Sequence, residues 1–252
     1  MSTNIIPNGE IKLNLQEKVA IITGASKGIG KEISLKFGES SIQLVLAARN
    51  KELLANLKTE IESKFSTEVL IVPTDITKED QVINLIKKTI EKFKKVDILV
   101  NNAGVGRFSR IDQFSIEDYN FIMDVNVKGV FLTTKYVVPH MIKKESGHII
   151  NISSIAGKNG FKTGTLYSAS KHAIQGFTWS LREDLKEYKI KVTTICPGSV
   201  LTGFGGKEQN YVEWSIQPED IAHACHYLVT ESDYVNTAEL IIKPRFNPRR
   251  IQ

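Results

Sequence analysis

A tyrosine and a lysine four residues apart are the residues of this sequence whose types and spacing first suggest chemistry. They are Tyr167 and Lys171 in the segment LYSASKH. Four residues is about one helical turn, so the phenol and the ammonium would share one face of a helix. A neighbouring cation moves the tyrosine pKa from about 10 towards neutrality, where a general acid or base works best. The same spacing occurs on the polar edge of ordinary helices, so the pair needs partners elsewhere in the chain.

A glycine-rich segment, TGASKGIG, provides the first such partner. It spans residues 23–30, directly after an apolar run, and its glycines are Gly24, Gly28 and Gly30. Glycine at a sharp strand-to-helix turn lets the backbone approach a pyrophosphate, whose charge the helix N-terminus favours. The spacing is GxxxGxG and differs from the common GxGxxG fingerprint. The segment predicts a dinucleotide site, and the alternative is a tight turn without a ligand.

The elements that must position these residues alternate along the chain. Seven runs rich in β-branched residues predict strands at 18–23, 42–48, 68–74, 96–103, 147–154, 190–198 and 238–244. Amphipathic segments with helical periodicity, such as residues 78–95, lie between them. This alternation predicts the α/β class, with a parallel sheet covered by helices on both faces. We expect residues 1–14 to form a flexible N-terminal extension and residues 15–252 to form one domain.

The end of the second predicted strand indicates which dinucleotide is preferred. It reads LAARN, with Ala48 where an acidic residue would hold the ribose 2′-hydroxyl of NAD, followed by Arg49. Lys27 in the glycine segment adds a second cation for a 2′-phosphate. The two residues therefore favour NADP(H), although they would also suit solvated surface charges.

Composition excludes several other classes of protein. The chain has 252 residues, 41% hydrophobic and 24% charged, and a net charge of +5 that is too small to indicate a nucleic-acid partner. Cys196 and Cys225 are its only cysteines and predict neither a disulfide framework nor a metal site. No apolar run is long enough to span a bilayer, and the N-terminus lacks a signal-peptide pattern. We therefore expect a cytoplasmic protein that binds neither membranes nor nucleic acid.

These motifs, in their order along the chain, resemble those of the short-chain dehydrogenase/reductase superfamily, in its NADP-preferring branch, from about residue 17 to 243. TGASKGIG resembles the cofactor loop, NNAG at 101–104 the fourth-strand motif, YSASK the Tyr-x-x-x-Lys motif, and PG at 197–198 the turn beside the nicotinamide. The resemblance implies a single Rossmann fold with a doubly wound, seven-stranded parallel sheet.

The resemblance also implies four catalytic residues. Tyr167 would be the proton donor, and Lys171 would lower its pKa and hold the nicotinamide ribose. Ser154, thirteen residues before the tyrosine, would hold the substrate oxygen and is preferred to Ser153 on that spacing. Asn126 would support a water-linked proton path to the lysine, and its alternative role is a local cap.

Further residues are implied as cofactor contacts, among them the aspartate after the third strand and the segment after the PG turn. The full set is Gly24, Ser26, Lys27, Gly28, Ile29, Gly30, Arg49, Asp75, Ile76, Asn102, Ala103, Gly104, Tyr167, Lys171, Pro197, Gly198, Val200 and Thr202.

One segment corresponds to the part of this family that varies with the substrate. Residues 199–217 occupy the position of a substrate lid, where Phe204, Tyr211 and Trp214 would close apolar surface over the substrate or pack inside the protein. The expected reaction is NADPH-dependent reduction of a ketone, 3-keto acid or 3-oxoacyl group to an alcohol. The alternatives are a 3-oxoacyl-[acyl-carrier protein] reductase and a non-catalytic NADP(H) sensor.

Basic residues and the chain ending bear on the partners. Arg107, Arg110 and Lys207 would meet a carboxylate or the acidic face of an acyl-carrier protein, or else be solvated charges. The ending VNTAELIIKPRFNPRR lacks the glycine-rich close of many 3-oxoacyl reductases and is closer to 3-hydroxy acid dehydrogenase and sepiapterin reductase-like branches. A homotetramer is the expected assembly, with a dimer as the alternative.

Overall fold

Seven parallel strands form one sheet in the structure, a computed structural model that describes residues 15–206 and 215–246. The strands are β1 (Val19–Thr23), β2 (Gln43–Ala48), β3 (Val69–Pro73), β4 (Ile98–Asn101), β5 (Gly147–Ile152), β6 (Ile190–Pro197) and β7 (Glu239–Ile242). Their order is β3-β2-β1-β4-β5-β6-β7. The predicted fold is thus confirmed. From β1 the chain adds β2 and β3 on one side of the sheet and then β4 to β7 on the other. Between β1 and β4 the carboxyl ends of the strands therefore leave a crevice.

Helices cover both faces of the sheet. They are α1 (Gly28–Glu39), α2 (Lys51–Lys64), α3 (Glu79–Phe93), α4 (Ile116–Met123), α5 (Gly129–Lys144), α6 (Thr165–Leu185) and α7 (Pro218–Val229). Within the described residues, none is long and apolar enough to cross a membrane.

Alternation along the strands divides the core into two layers. Ala20 and Ile22 of β1 face the layer that contains side chains of α1, α2 and α7, whereas Val19 and Ile21 face the layer that contains side chains of α3, α5 and α6. Successive residues of a strand point to opposite faces, so a strand buried on both sides must be apolar throughout. This explains why the strands could be recognised as continuous apolar runs.

A buried polar chain fixes α5 and α6 against the sheet. Thr133 of α5 donates a hydrogen bond to Asn101 of β4 (2.7 Å), and Asn101 donates to Asn151 of β5 (2.8 Å). Asn151 in turn donates to Thr178 of α6 (2.8 Å). Buried polar groups are stabilising only when they are paired, so these bonds set the positions of the two helices that carry the candidate site.

Only part of the predicted lid is described. Val200 and Ile216 form an isolated β-bridge, and a short 3₁₀ turn covers Phe204–Gly206. Lys207, Tyr211 and Trp214 lie outside the described residues, as do the predicted N-terminal extension and residues 247–252 at the end of the chain.

Candidate active site

Tyr167 and Lys171 lie in the first two turns of α6, on one face of the helix. The lysine is 5% exposed, and its Nζ donates to the carbonyl oxygen of Ile152 at 2.9 Å. The same Nζ lies 5.8 Å from the centroid of the Tyr167 ring. The helical spacing therefore brings the two side chains together beside the carboxyl end of β5.

Burial is the largest influence on the pKa values of this pair. Burial raises the pKa of Tyr167, and a hydrogen bond with Ser154 acts in the opposite direction without reversing the shift. Burial also lowers the pKa of Lys171 to about 8. The Lys171 ammonium donates to the Ile152 carbonyl in this structure, and its expected effect on the tyrosine pKa stays a prediction.

The structure separates the two candidate serines. Ser154 follows β5, accepts a hydrogen bond from the Ala156 N–H (3.1 Å) and interacts with the Tyr167 hydroxyl. Ser153 turns the other way, and its hydroxyl donates to the carbonyl oxygen of Lys171 (3.2 Å). Ser154 therefore shares a site with Tyr167, whereas Ser153 is used to hold α6.

Asn126 lies in a π-helical turn, Asp124–Lys128, that joins α4 to α5. It is 1% exposed, accepts from the Val105 N–H (2.8 Å) and donates to the Val105 carbonyl (2.9 Å) and the Ser170 hydroxyl (3.0 Å). A methyl group placed on Gly104 would lie 3.4 Å from Asn126 Oδ1 and 3.6 Å from Lys171 Nζ. The asparagine thus fixes the loop after β4, and its Oδ1 borders the same space beside Gly104 as the Nζ of Lys171.

The glycine segment is packed tightly against the loop after β4. A methyl group on Gly24, where φ is +65°, would lie 2.8 Å from Ala103 Cα, and one on Gly30 would lie 2.4 Å from the Gly24 carbonyl oxygen. The Asn102 side chain donates to the carbonyls of Thr23 (3.0 Å) and Gly24 (3.2 Å). The backbone of the turn is therefore held at the crevice between β1 and β4.

Other residues expected to contact the cofactor surround the same crevice. Gly28 faces Thr202, since a methyl group on Gly28 would lie 3.3 Å from the threonine side chain. Lys27 and Arg49 are exposed, and neither forms an ion pair with the residues that the structure describes. Ser26 is half-buried, and Ile29 packs on the core.

Asp75 and Ile76 follow β3. Burial acts to raise the pKa of Asp75, but hydrogen bonds from the Thr77 backbone and hydroxyl and the charge of Arg49 outweigh it and lower that pKa. The carboxylate is therefore ionised at neutral pH. Ile76 is 7% exposed and packs against Gly129, so its side chain belongs to the core.

The end of β6 forms the opposite wall. The carbonyl oxygen of Pro197 lies 3.5 Å from the Ser154 hydroxyl. Gly198 donates its N–H to the Ile242 carbonyl (2.7 Å), and Val200 is buried. These contacts place the PG turn beside the serine.

Three phenylalanines surround Tyr167, and sequence reasoning singled out only one of them. Ring centroids of Phe108, Phe161 and Phe204 lie 5.5, 6.5 and 5.6 Å from that of Tyr167. Phe108 and Phe161 were missed because they lie in irregular loops, where periodicity gives no information. The signal that was available is a glycine two or three residues away from each ring.

The arginines near the site form pairs within the chain. Arg107 pairs with Asp118, and its guanidinium lies 4.6 Å from the centroid of the Phe121 ring. Arg110 pairs with Asp112. Their charges are therefore already engaged locally.

Comparison with known proteins defines the family. Residues 18–212 match the family described as short chain dehydrogenase. An uncharacterized oxidoreductase of Staphylococcus aureus is 37% identical over 230 residues, covering 91% of this chain and 98% of that protein. Another from Staphylococcus saprophyticus is 38% identical over 232 residues, covering 92% and 99%. The chain belongs to the short-chain dehydrogenase family.

Solved structures agree with this membership. An alcohol dehydrogenase from the archaeon Thermococcus sibiricus, complexed with 5-hydroxy-NADP, superposes with a TM-score of 0.87 at 28% identity, covering 91% of this chain and 97% of that one. A metagenomic short-chain oxidoreductase in complex with NADP gives a TM-score of 0.82 at 32% identity, covering 93% and 100%.

Proposed function

We propose that the protein is an NADP(H)-dependent oxidoreductase that reduces a carbonyl compound, a ketone, 3-keto acid or 3-oxoacyl group, to an alcohol. This proposal depends on one observation: Tyr167, Ser154 and Lys171 lie close together, next to the crevice that the glycine segment borders. A hydroxyl pair and a buried amine at one point suit the stabilisation and protonation of an alkoxide.

The crevice fits a dinucleotide phosphate. Gly24 and Gly28 have φ of +65° and +55°, and the space over Gly28 that a side chain would occupy adjoins Thr202. Lys27 and Arg49 present two exposed charges that are not paired within the described part of the chain. The NADP-bound relatives support assigning these cations to the 2′-phosphate.

Each polar residue then has a distinct task. When bound, the cofactor supplies a hydride to the carbonyl carbon. The Tyr167 hydroxyl donates the proton that the resulting oxygen requires, and Ser154 donates a second hydrogen bond to that oxygen. Lys171 would hold a ribose hydroxyl of the bound cofactor and pass protons to Tyr167, and Asn126 would support this path by fixing Val105 and the space next to the lysine.

The direct test is NADPH oxidation by wild type and Tyr167→Phe on a panel of ketones, 3-keto acids and 3-oxoacyl thioesters. Removing a general acid costs about 10²–10⁴-fold in rate, so we expect a loss of about 10³-fold in kcat while NADPH affinity stays within about twofold of the wild-type value. Undiminished turnover by Tyr167→Phe would rule out the assigned role.

Two other functions are separated by the same assays. A 3-oxoacyl-[acyl-carrier protein] reductase would prefer thioesters, yet the pairing of Arg107 and Arg110 within the chain leaves these arginines less suited to an acidic carrier. A non-catalytic NADP(H) sensor would bind NADPH without any turnover.

We also propose a cytoplasmic protein with one domain and a homotetrameric assembly, with a dimer as the alternative. Exposed apolar side chains on the helices, Ile116, Trp179 and Tyr227, support contact between copies of the chain. Light scattering during size-exclusion chromatography measures the assembly directly.

A further inference from the structure

The rings around Tyr167 come from three separate loops. Phe108 follows β4, Phe161 precedes α6, and Phe204 lies beyond β6. Phe108 also contacts Phe161, with ring centroids 5.8 Å apart. Segments far apart in sequence thus place three phenyl groups against one phenol, an arrangement that we call the phenylalanine clamp (Phe108, Phe161 and Phe204).

The backbone is shaped to receive these rings. A methyl group on Gly164 would lie 2.4 Å from the Phe161 ring, and one on Gly106 would lie 2.6 Å from the Phe204 ring. A side chain at either position would displace the ring, so Gly164 and Gly106 leave room for Phe161 and Phe204 where they lie. In addition, the Ser109 N–H donates to the Thr163 carbonyl at 3.0 Å and ties the loop of Phe108 to that of Phe161. The clamp is therefore preorganised by the backbone.

Two clamp rings retain considerable apolar surface. Phe108 is 37% exposed and Phe161 is 48% exposed, next to the half-buried Tyr167. Ring pairs at these distances contribute about 0.5–1.5 kcal/mol beyond area burial. A flat apolar group that contacts these rings would remove more of their surface from water while its oxygen faces Tyr167 and Ser154.

The arginines next to the phenylalanine clamp do not favour an anionic substrate, because both are paired within the chain. Arg107 and Arg110 are occupied by Asp118 and Asp112. Lys162, which follows Phe161, is exposed and forms no ion pair within the described residues. Lys162 and the Lys171 ammonium, which lies 5.8 Å from the Tyr167 ring centroid, would both favour a carboxylate, and so a carboxylate belongs in the test.

We propose that the substrate is an uncharged carbonyl compound carrying an aromatic group, held by the phenylalanine clamp with its oxygen at Tyr167 and Ser154. This inference rests on the proposed function and narrows its substrate from any carbonyl compound to one chemical class. Phe161 and Phe108 determine specificity by contact with the aromatic group, and they take no part in proton transfer.

Binding can be measured apart from turnover. The protein is saturated with NADP⁺, which has no hydride to give, and titrated calorimetrically with acetophenone and with 4-acetylbenzoate, which differs from it only by a carboxylate. We expect acetophenone to bind at least about tenfold more tightly, and Phe161→Ala to weaken its binding about tenfold, or about 1.4 kcal/mol. Phe161→Leu should fall between wild type and Phe161→Ala.

Ile83→Ala is the matched control, since Ile83 is 44% exposed and lies on α3, an element that carries none of the clamp rings. It should leave acetophenone binding unchanged. The inference is overturned if acetophenone does not bind, if 4-acetylbenzoate binds as well or better, or if Phe161→Ala has no effect. Acetophenone binding without NADPH-driven turnover would instead refute the proposed function alone, and turnover that prefers carboxylates would refute the inference alone.

Discussion

Burial of Lys171 should make the cofactor-free protein less stable than a variant without this charge. Replacement by methionine keeps an unbranched apolar side chain and removes the ammonium. Burial lowers the lysine pKa from 10.5 to about 8. At about 1.4 kcal/mol for each pKa unit, this difference corresponds to about 3 kcal/mol of unfolding free energy that the charged lysine removes from the folded state.

The sign of the pH dependence follows from proton binding. Below pH 8 the lysine is protonated in both the folded and the unfolded chain, so the folded chain bears the full cost of burying a charge. Between pH 8 and pH 10.5 the unfolded chain binds the proton and the folded chain does not, so stability rises with pH. Above this window the amine is neutral in both states and the cost is absent.

At pH 7 Lys171→Met gains about 3 kcal/mol because the buried charge is removed, and it loses about 1 kcal/mol because the Ile152 carbonyl loses a hydrogen bond. The variant should therefore be more stable than wild type by about 2 kcal/mol. As pH rises from 8 to 10.5, this difference should fall by about 3 kcal/mol and change sign, so that wild type becomes the more stable by about 1 kcal/mol. Urea unfolding at several pH values measures both. Lys87→Met is the control, since Lys87 has a side chain 70% exposed and should show no such trend. Parallel pH profiles for wild type and Lys171→Met would refute the reasoning.

Three further predictions address other parts of the chain. Arg49→Glu should weaken NADPH binding by at least about tenfold and leave NADH binding unchanged, because a charge at the 2′-phosphate is reversed. Fluorescence titration measures both affinities, and equal losses for the two cofactors would contradict the assignment. Asn126→Ala should lower the unfolding free energy by about 2–3 kcal/mol, since three hydrogen bonds are lost, and a urea midpoint like that of wild type would contradict it. Burial lowers the pKa of His148 to about 3, so the unfolded chain alone takes up a proton as pH falls from 6.5 towards 3. Wild type should then lose about 1.4 kcal/mol more stability per pH unit than His148→Gln in this window, and equal acid sensitivity of the two would show the prediction to be wrong.

Much of the fold was predictable because strands buried on both sheet faces appear in the sequence as continuous apolar runs. Strands β1 and β2 are apolar at every position except Thr23 and Gln43 at their ends, and their runs are visible in the sequence. The relation of Tyr167 to Lys171 was predictable for a similar reason, since both lie on one regular helix.

What the sequence could not provide depends on contacts between distant segments. The raised pKa of Tyr167 results from burial in the folded chain. Phe108 and Phe161 meet where two loops are joined by a backbone hydrogen bond from Ser109 to Thr163. Periodicity contains no information about this meeting of loops.

The π-helical turn that carries Asn126 also determines how this part of the chain tolerates insertions and deletions. Each residue of an α-helix turns the chain by about 100°, and a π turn corresponds to one inserted residue. In a regular helix one extra residue would rotate everything after it by this angle, whereas the π turn absorbs the extra residue locally. Deleting one residue between Asp124 and Lys128 should therefore close the turn into regular α-helix and keep the buried side chains of α5, Thr133, Val137 and Met141, against the sheet. The same deletion would displace Asn126 from Val105 and Ser170, so the length of this turn offers a way to alter the site without altering the core.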